Sequence, residues 1–263
     1  MVKPMVSIMD LMSFWTNFWK GVPFEAFYAY SIFTTALGVA IALFHYSGFT
    51  VVKWRLGRFK QRWDARAASS IAVILAIAVV ADFIGGMFWI VPGAQSMEFL
   101  KDMTYIGGTM LFGYPVVATI FPLYVLSDAV MGVFNVLWLP GYIYLSGYNA
   151  FWFWTIGKNP DFRKPRTWAI YIPTAIAFMF LDIPGWGWLC GPASGAFPSE
   201  ISYFVVVPAI FFTCTFTVIL MPFVMLVVLP IAKRYRVFWA EIPGFYRQRY
   251  LGSAEWVWES GKQ

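Results

Sequence analysis

Three aspartates lie inside or at the edge of long apolar runs: Asp82 in VVADFIGG, Asp128 in VLSDAVMG and Asp182 in MFLDIPGW. An ionised aspartate at the centre of a bilayer costs about 2.5–3.5 kcal/mol, so such a residue normally faces the bundle interior and has a partner. The chemistry open to buried carboxylates is a proton or cation relay, or the anchoring of a substrate. Asp182 falls at the end of its run, where we expect a solvated carboxylate.

Asp128 has polar neighbours along the chain, Ser127 and Asn135, and together with Asp82 they form the predicted intramembrane polar site. No lysine or arginine lies within an apolar run, so the expected partners are Ser, Asn, Tyr, backbone or another subunit. We predict that Asp128 points into protein and that residues 113–141 do not form one straight helix, because their prolines remove backbone donors.

Other chemistry is scarce, and we predict no catalytic residues. His45 is the only histidine, which excludes metal sites built from several histidines. It could ligate one metal-centred pigment or haem, but we expect an interfacial histidine bonded to backbone or lipid. Cys190 and Cys214 are expected to pack alone.

The elements that must position these residues are membrane helices. The chain is 60% hydrophobic, 21% aromatic and 12% charged, whereas soluble domains contain about 25% charged residues. Its 14 tryptophans and 14 tyrosines suit rings at two lipid–water boundaries. The net charge of +6 is concentrated beside apolar runs, which indicates anionic lipid and not nucleic acid as the partner.

We therefore predict an all-α, multi-pass transmembrane helix bundle with about five or six crossings, each of about 20 residues. One integral membrane domain is expected over 1–263, with an interfacial helix in 1–25, the bundle in 26–232 and a basic, aromatic tail in 233–263. Within residues 1–25, the apolar stripe of 4–20 is too short and too polar to span the membrane. We therefore expect Trp15 and Trp19 at headgroup depth and Asp10 in water.

Basic blocks give the expected topology, because short loops rich in Lys and Arg stay in the cytoplasm. The blocks 53–66, 158–166 and 233–249 should share that side, and the loops 92–103 and 183–200 the other. This predicts a cell-membrane protein with Arg58, Arg163, Arg247 and the C-terminus facing the cytoplasm.

The same rule requires an odd number of crossings in 104–156. Three crossings need about 60 residues, so we expect one crossing, with the remainder re-entrant, buried or interfacial. The alternative is two ordinary spans, 104–126 and 129–156, with the following basic loop outside.

The function expected first is a non-catalytic subunit of a larger membrane complex of respiratory, photosynthetic or membrane-oxygenase type, contributing packing and lipid or pigment contacts. The alternative is a small transporter or substrate-capture module that uses the intramembrane aspartates, and a lipid- or terpenoid-directed enzyme is third. Membrane lipids and other membrane subunits are the expected partners. No cofactor is predicted, although the aromatic stretches 149–157 and 185–189 leave a bound lipid, quinone or pigment open.

Overall fold

The computed structural model describes residues 8–91 and 95–261. In these residues, four helical stretches are long and apolar enough to cross a membrane: Phe24–Tyr46, Ala65–Gly85, Pro165–Ala193 and Ser199–Glu241. Apolar side chains such as Ile77, Val80 and Phe223 point outward from them, as lipid-facing residues do. The predicted all-α membrane class is confirmed.

The helices are α1 (Ile8–Lys20), α2 (Phe24–Tyr46), α3 (Ala65–Gly85), α4 (Phe99–Phe112), α5 (Tyr114–Val130), α6 (Leu139–Thr155), α7 (Pro165–Asp182), α8 (Gly185–Trp188), α9 (Ser199–Ile201) and α10 (Val207–Arg234). The strands are β1 (Phe49–Val52), β2 (Arg55–Gln61), β3 (Trp89–Val91), β4 (Gln95–Ser96), β5 (Tyr246–Tyr250) and β6 (Trp258–Glu259). Wide π turns over Leu189–Ala193 and Ser202–Val206 extend α8 and connect α9 to α10.

A small antiparallel sheet, which the sequence analysis did not predict, covers one end of the bundle. Its strand order is β1-β2-β5-β6, so the C-terminal tail pairs with the basic segment after α2. Arg58 of β2 lies opposite Arg249 of β5. The β1–β2 turn places Lys53 and Trp54 in the left-handed region.

The basic blocks gather at this end, which we call the sheet end. The first and third blocks form β2 and β5, and the Lys158 ammonium of the second lies 4.7 Å from the centre of the Trp258 ring in β6. The β3–β4 hairpin follows α3 at the opposite end, which we call the cavity end. Which end faces the cytoplasm stays a prediction.

Residues 99–155 form three helices that run back and forth. None of them is among the four stretches long enough to cross a membrane, so the number of crossings in this segment stays a prediction. The chain reverses at Gly113, where φ is 77° and a Cβ would lie 2.9 Å from the Trp239 ring. Tyr114 then starts α5 with its ring 4.5 Å from that of Phe59 in the sheet. α6 returns to the sheet end, where Phe153 packs 5.0 Å from Tyr246.

These helices are short and closely joined. α4 has 14 residues and α5 has 17, or about 21 and 26 Å at 1.5 Å per residue, against about 30 Å of hydrocarbon. Pro115 and Pro140 lie in the first turns of α5 and α6, where the missing N–H has no helical partner to lose. As predicted, 113–141 is not one straight helix.

The last span holds three prolines. Pro208 lies in the first turn of α10, while Pro222 and Pro230 lie within it and do not end the helix.

The bundle is closed by α2 crossing α6 at two glycines. A Cβ on Gly147 would lie 2.1 Å from the carbonyl oxygen of Gly38, so the backbones meet as small residues allow in membrane helices.

The first helix packs more deeply than expected for an interfacial segment. Trp19 is buried and stacks on Phe27 at 4.3 Å, and Trp15 donates to Thr215 at 3.1 Å. Protein, and not the headgroup layer, therefore surrounds Trp19, whereas Asp10 is exposed as expected. Residues 4–7 of the predicted stripe lie outside the described residues.

Candidate functional site

A buried lysine organises the polar interior at the cavity end. The Lys101 ammonium lies 2.9 Å from Asp82 and 2.9 Å from Glu98, and 4.8 Å from the centre of the Tyr124 ring. Only 1% of the residue is exposed. Lys101 was expected in a loop over 92–103, but α4 begins at Phe99 and turns this side chain into the core.

Three residues of the predicted polar site meet around this lysine. Ser127 donates a hydrogen bond to Asp82, and Tyr142 donates one to Asp128. Asp128 lies near enough to Lys101 for a direct electrostatic interaction. Asp82, Ser127 and Asp128 are all buried, so Asp128 points into protein as predicted, and its partners belong to the same chain.

Two more carboxyl groups share the interior. Asp102 accepts hydrogen bonds from Tyr124 at 3.3 Å and from the Cys214 thiol at 3.6 Å. Asp182 is only 4% exposed, so the expectation of a solvated carboxylate is wrong. The chain continues beyond Asp182 as α8 and a π turn, which cover it.

The carboxyl groups line a cavity of about 80 Å³. That volume holds about five to eight water molecules and is well below the roughly 300 Å³ of a typical drug-sized pocket. The walls are formed by acids, one lysine, amides, thiols and rings, including Glu98, Lys101, Asp102, Tyr105, Tyr124, Asp128, Asn149, Phe178, Asp182, Trp186, Cys190 and Cys214.

Some cavity-lining polar atoms have no hydrogen-bond partner among the described residues. They are Asp182 Oδ1, Asn149 Oδ1 and the Tyr105 hydroxyl. A buried polar atom without a partner costs about 1–3 kcal/mol, so these atoms indicate an interior arranged for something else to bind.

The charges of the cavity do not balance. Four acids line it against one lysine, which gives 1 − 4 = −3 if all are ionised, and Asp82 adds another negative charge behind Lys101. Buried charges need partners, so protons or a further cation must compensate. Glu98 precedes α4, where burial raises its pKa to about 7 while the Lys101 ammonium opposes that shift.

The remaining predicted residues lie elsewhere. Asn135 caps a 3-10 turn by accepting from the Leu137 amide at 2.9 Å and is not part of the cluster. His45 is buried at the sheet end between aromatic rings, including Phe59 at 5.0 Å and Tyr114 at 4.7 Å. Neither ring nitrogen has a partner in the described structure, so the expected hydrogen bond to backbone or lipid is replaced by ring packing.

Both cysteines are buried and unpaired, as predicted. The described residues contain no group of three or more His, Cys, Asp or Glu side chains placed to hold a metal ion. Comparison with protein-family models, curated proteins and solved structures found no match to this chain.

Proposed function

We propose that this chain is a small membrane transport or substrate-capture module that binds a proton or a small cation at the Lys101 cavity. The observation that carries the proposal is the excess of carboxyl groups over basic groups in one interior cavity. In a low-dielectric site this excess negative charge favours a bound cation. Transporters commonly build such sites from short or interrupted helices, and α4 and α5, which contribute Lys101 and Asp128, are short.

The size and chemistry of the cavity favour a small ligand. A volume of about 80 Å³ suits protons on a water chain or an ion of a few non-hydrogen atoms, but it excludes a folded lipid or a quinone. Acid–base chemistry on a terpenoid would need a cavity of roughly 300 Å³ or more. The third function, an enzyme acting on lipids or terpenoids, is therefore not supported.

The aspartate variants test this function. Asp128→Asn keeps the shape of the side chain and the Tyr142 contact but removes the negative charge, so we expect uptake of the cation to be abolished while the folded protein stays abundant. Asp128→Leu should lower both the uptake of the cation and the abundance of the folded protein. Abundance, association with other chains and cation uptake are measured for each variant. Unchanged uptake in Asp128→Asn would refute the role of the carboxylate.

A non-catalytic subunit of a larger complex is the second candidate. The apolar belt on α3 and α10 favours it, since Val73, Ile77, Phe223 and Val227 are all exposed and could contact another subunit as well as lipid. Against it, Asp82, Asp102 and Asp128 take their partners from this chain. Purification in mild detergent separates the two: a stoichiometric set of partners favours the subunit, and a monodisperse single chain favours the transport module.

The membrane and its orientation are part of the proposal. We propose the cell membrane, with the sheet end and the C-terminus in the cytoplasm, because basic loops stay on that side. Single cysteines at Arg58, Arg163 and Arg247, placed in a background without Cys190 and Cys214, test this in intact cells. An impermeant thiol reagent should label none of them, and labelling at any of the three positions would contradict the orientation.

A further inference from the structure

The cavity lining already holds one ammonium group, that of Lys101. The Lys101 ammonium is held by the carboxylates of Asp82 and Glu98, each 2.9 Å away, and by the face of the Tyr124 ring. Carboxylate oxygens and an aromatic face are the groups that recognise an ammonium ion. This arrangement is an intramolecular example of that recognition.

Another set of cavity-lining residues presents the same kinds of groups without an ammonium. Phe178, Asp182 and Trp186 are spaced four residues apart, which places them on one side of the helical path, and all three line the cavity. Asp182 belongs to no ion pair in the described part of the chain. Its Oδ1 is buried and without a hydrogen-bond partner.

A second hydrogen-bond acceptor, on Asn149, lines the same cavity. Asn149 is 3% exposed, and its amide nitrogen donates to the Leu145 carbonyl at 2.9 Å, which leaves Oδ1 as an unused acceptor. The Tyr105 hydroxyl is also unpaired and can accept or donate. The carboxylate oxygen Asp182 Oδ1 and the amide oxygen Asn149 Oδ1 both accept hydrogen bonds. A ligand that pairs with them must therefore carry hydrogen-bond donors.

We propose that Asp182, Asn149 and Tyr105 form a binding site for a small organic ammonium or guanidinium ion that bears N–H groups. The carboxylate supplies the charge, the Asn149 and Asp182 oxygens accept the N–H bonds, and Phe178 and Trp186 cover the carbon atoms. The cavity volume limits the ligand to about five non-hydrogen atoms, by comparison with the water molecules it holds. This inference rests on the proposed function and names the ligand class of the same cavity.

The test uses the full chain in lipid nanodiscs and radiolabelled methylammonium as the probe. We expect one saturable site per chain, with affinity lowered about 10- to 100-fold by Asp182→Asn, the range that loss of a charged hydrogen bond gives. Tetramethylammonium has the charge but no N–H, so it should compete at least about tenfold less well. Asp161→Asn, at the exposed sheet end, is the matched control and should bind as the parent does.

Parallel measurements distinguish a loss of binding from a loss of folding and from a failure of the proposed function. Thermal unfolding is recorded for each variant, and Asn149→Leu replaces Asp182→Asn if the latter unfolds. Equal competition by tetramethylammonium, unchanged affinity in the folded variant, or no methylammonium binding would overturn the inference. If protons or another cation still cross membranes in an Asp128-dependent manner, the proposed function stands without it. If no cation binds or crosses, both fail.

Discussion

Replacing Lys101 with methionine tests whether the buried ammonium holds the interior together. The side chain keeps its length and loses its charge, so the Asp82 and Glu98 carboxylates both lose a partner at 2.9 Å. Removing one partner of a buried pair costs about 3–5 kcal/mol, because the remaining charge stays desolvated. Asp82 keeps the Ser127 hydrogen bond, so we expect Lys101→Met to lower the free energy of unfolding by about 3 kcal/mol, the lower end of that range.

The control is Lys233→Met, which removes an exposed ion pair. Lys233 lies 2.5 Å from Glu241, and the two side chains are 38% and 36% exposed. Such pairs contribute about 1 kcal/mol or less. Unfolding is followed by tryptophan fluorescence and circular dichroism in mixed micelles of increasing SDS content.

A double variant distinguishes lost charge pairing from lost packing. Adding Asp82→Asn to Lys101→Met removes the stranded carboxylate, so it should recover about 1 kcal/mol or more, within the range of couplings between contacting residues. If Lys101→Met and Lys233→Met destabilise equally within about 0.5 kcal/mol, the buried ammonium does not organise the cluster.

Three further changes test other parts of the structure. Gly147→Ala should destabilise the α2–α6 crossing by about 1–3 kcal/mol, because its Cβ would lie 2.1 Å from the Gly38 carbonyl; an unchanged unfolding midpoint would contradict this contact. Tyr142→Phe removes the donor to Asp128 and should cost about 1–3 kcal/mol in the same unfolding assay. Partial desolvation and a neighbouring lysine lower the pKa of Lys158 to about 8, so acylation followed by mass spectrometry should show its reactivity rising most between pH 7 and 9. A rise centred near pH 10 would indicate an unperturbed lysine.

The aspartates of the site were predictable because carboxylates stand out in apolar runs. Asp82 and Asp128 must find partners in a bundle, and Ser127 is adjacent to Asp128. Lys101 was missed because it lies among polar residues that resemble a loop. A helical signal was present: Glu98, Lys101 and Tyr105 are separated by three and four residues, which places them on one face of a helix.

Other features depend on contacts distant in sequence. The burial of Asp182 requires α8 and the turn after it to fold over the cavity, and local composition does not encode that path. The sheet pairs residues 57–61 with 246–250, a separation that patterning alone does not indicate. The prolines predicted that 113–141 is interrupted, but not that Pro115 and Pro140 begin helices, because that role depends on where the preceding helix ends.

Cation flux into proteoliposomes that contain only this purified chain tests the central claim most directly. Protons, followed by an enclosed pH-sensitive dye, and radiolabelled methylammonium are measured with the parent protein and with folded Asp128→Asn. We predict saturable flux of at least one of these cations, reduced at least about tenfold by the substitution, the effect of losing one charge-assisted interaction. Flux equal to that of protein-free vesicles, or equal flux in parent and variant, would contradict a cation-handling role for the cavity.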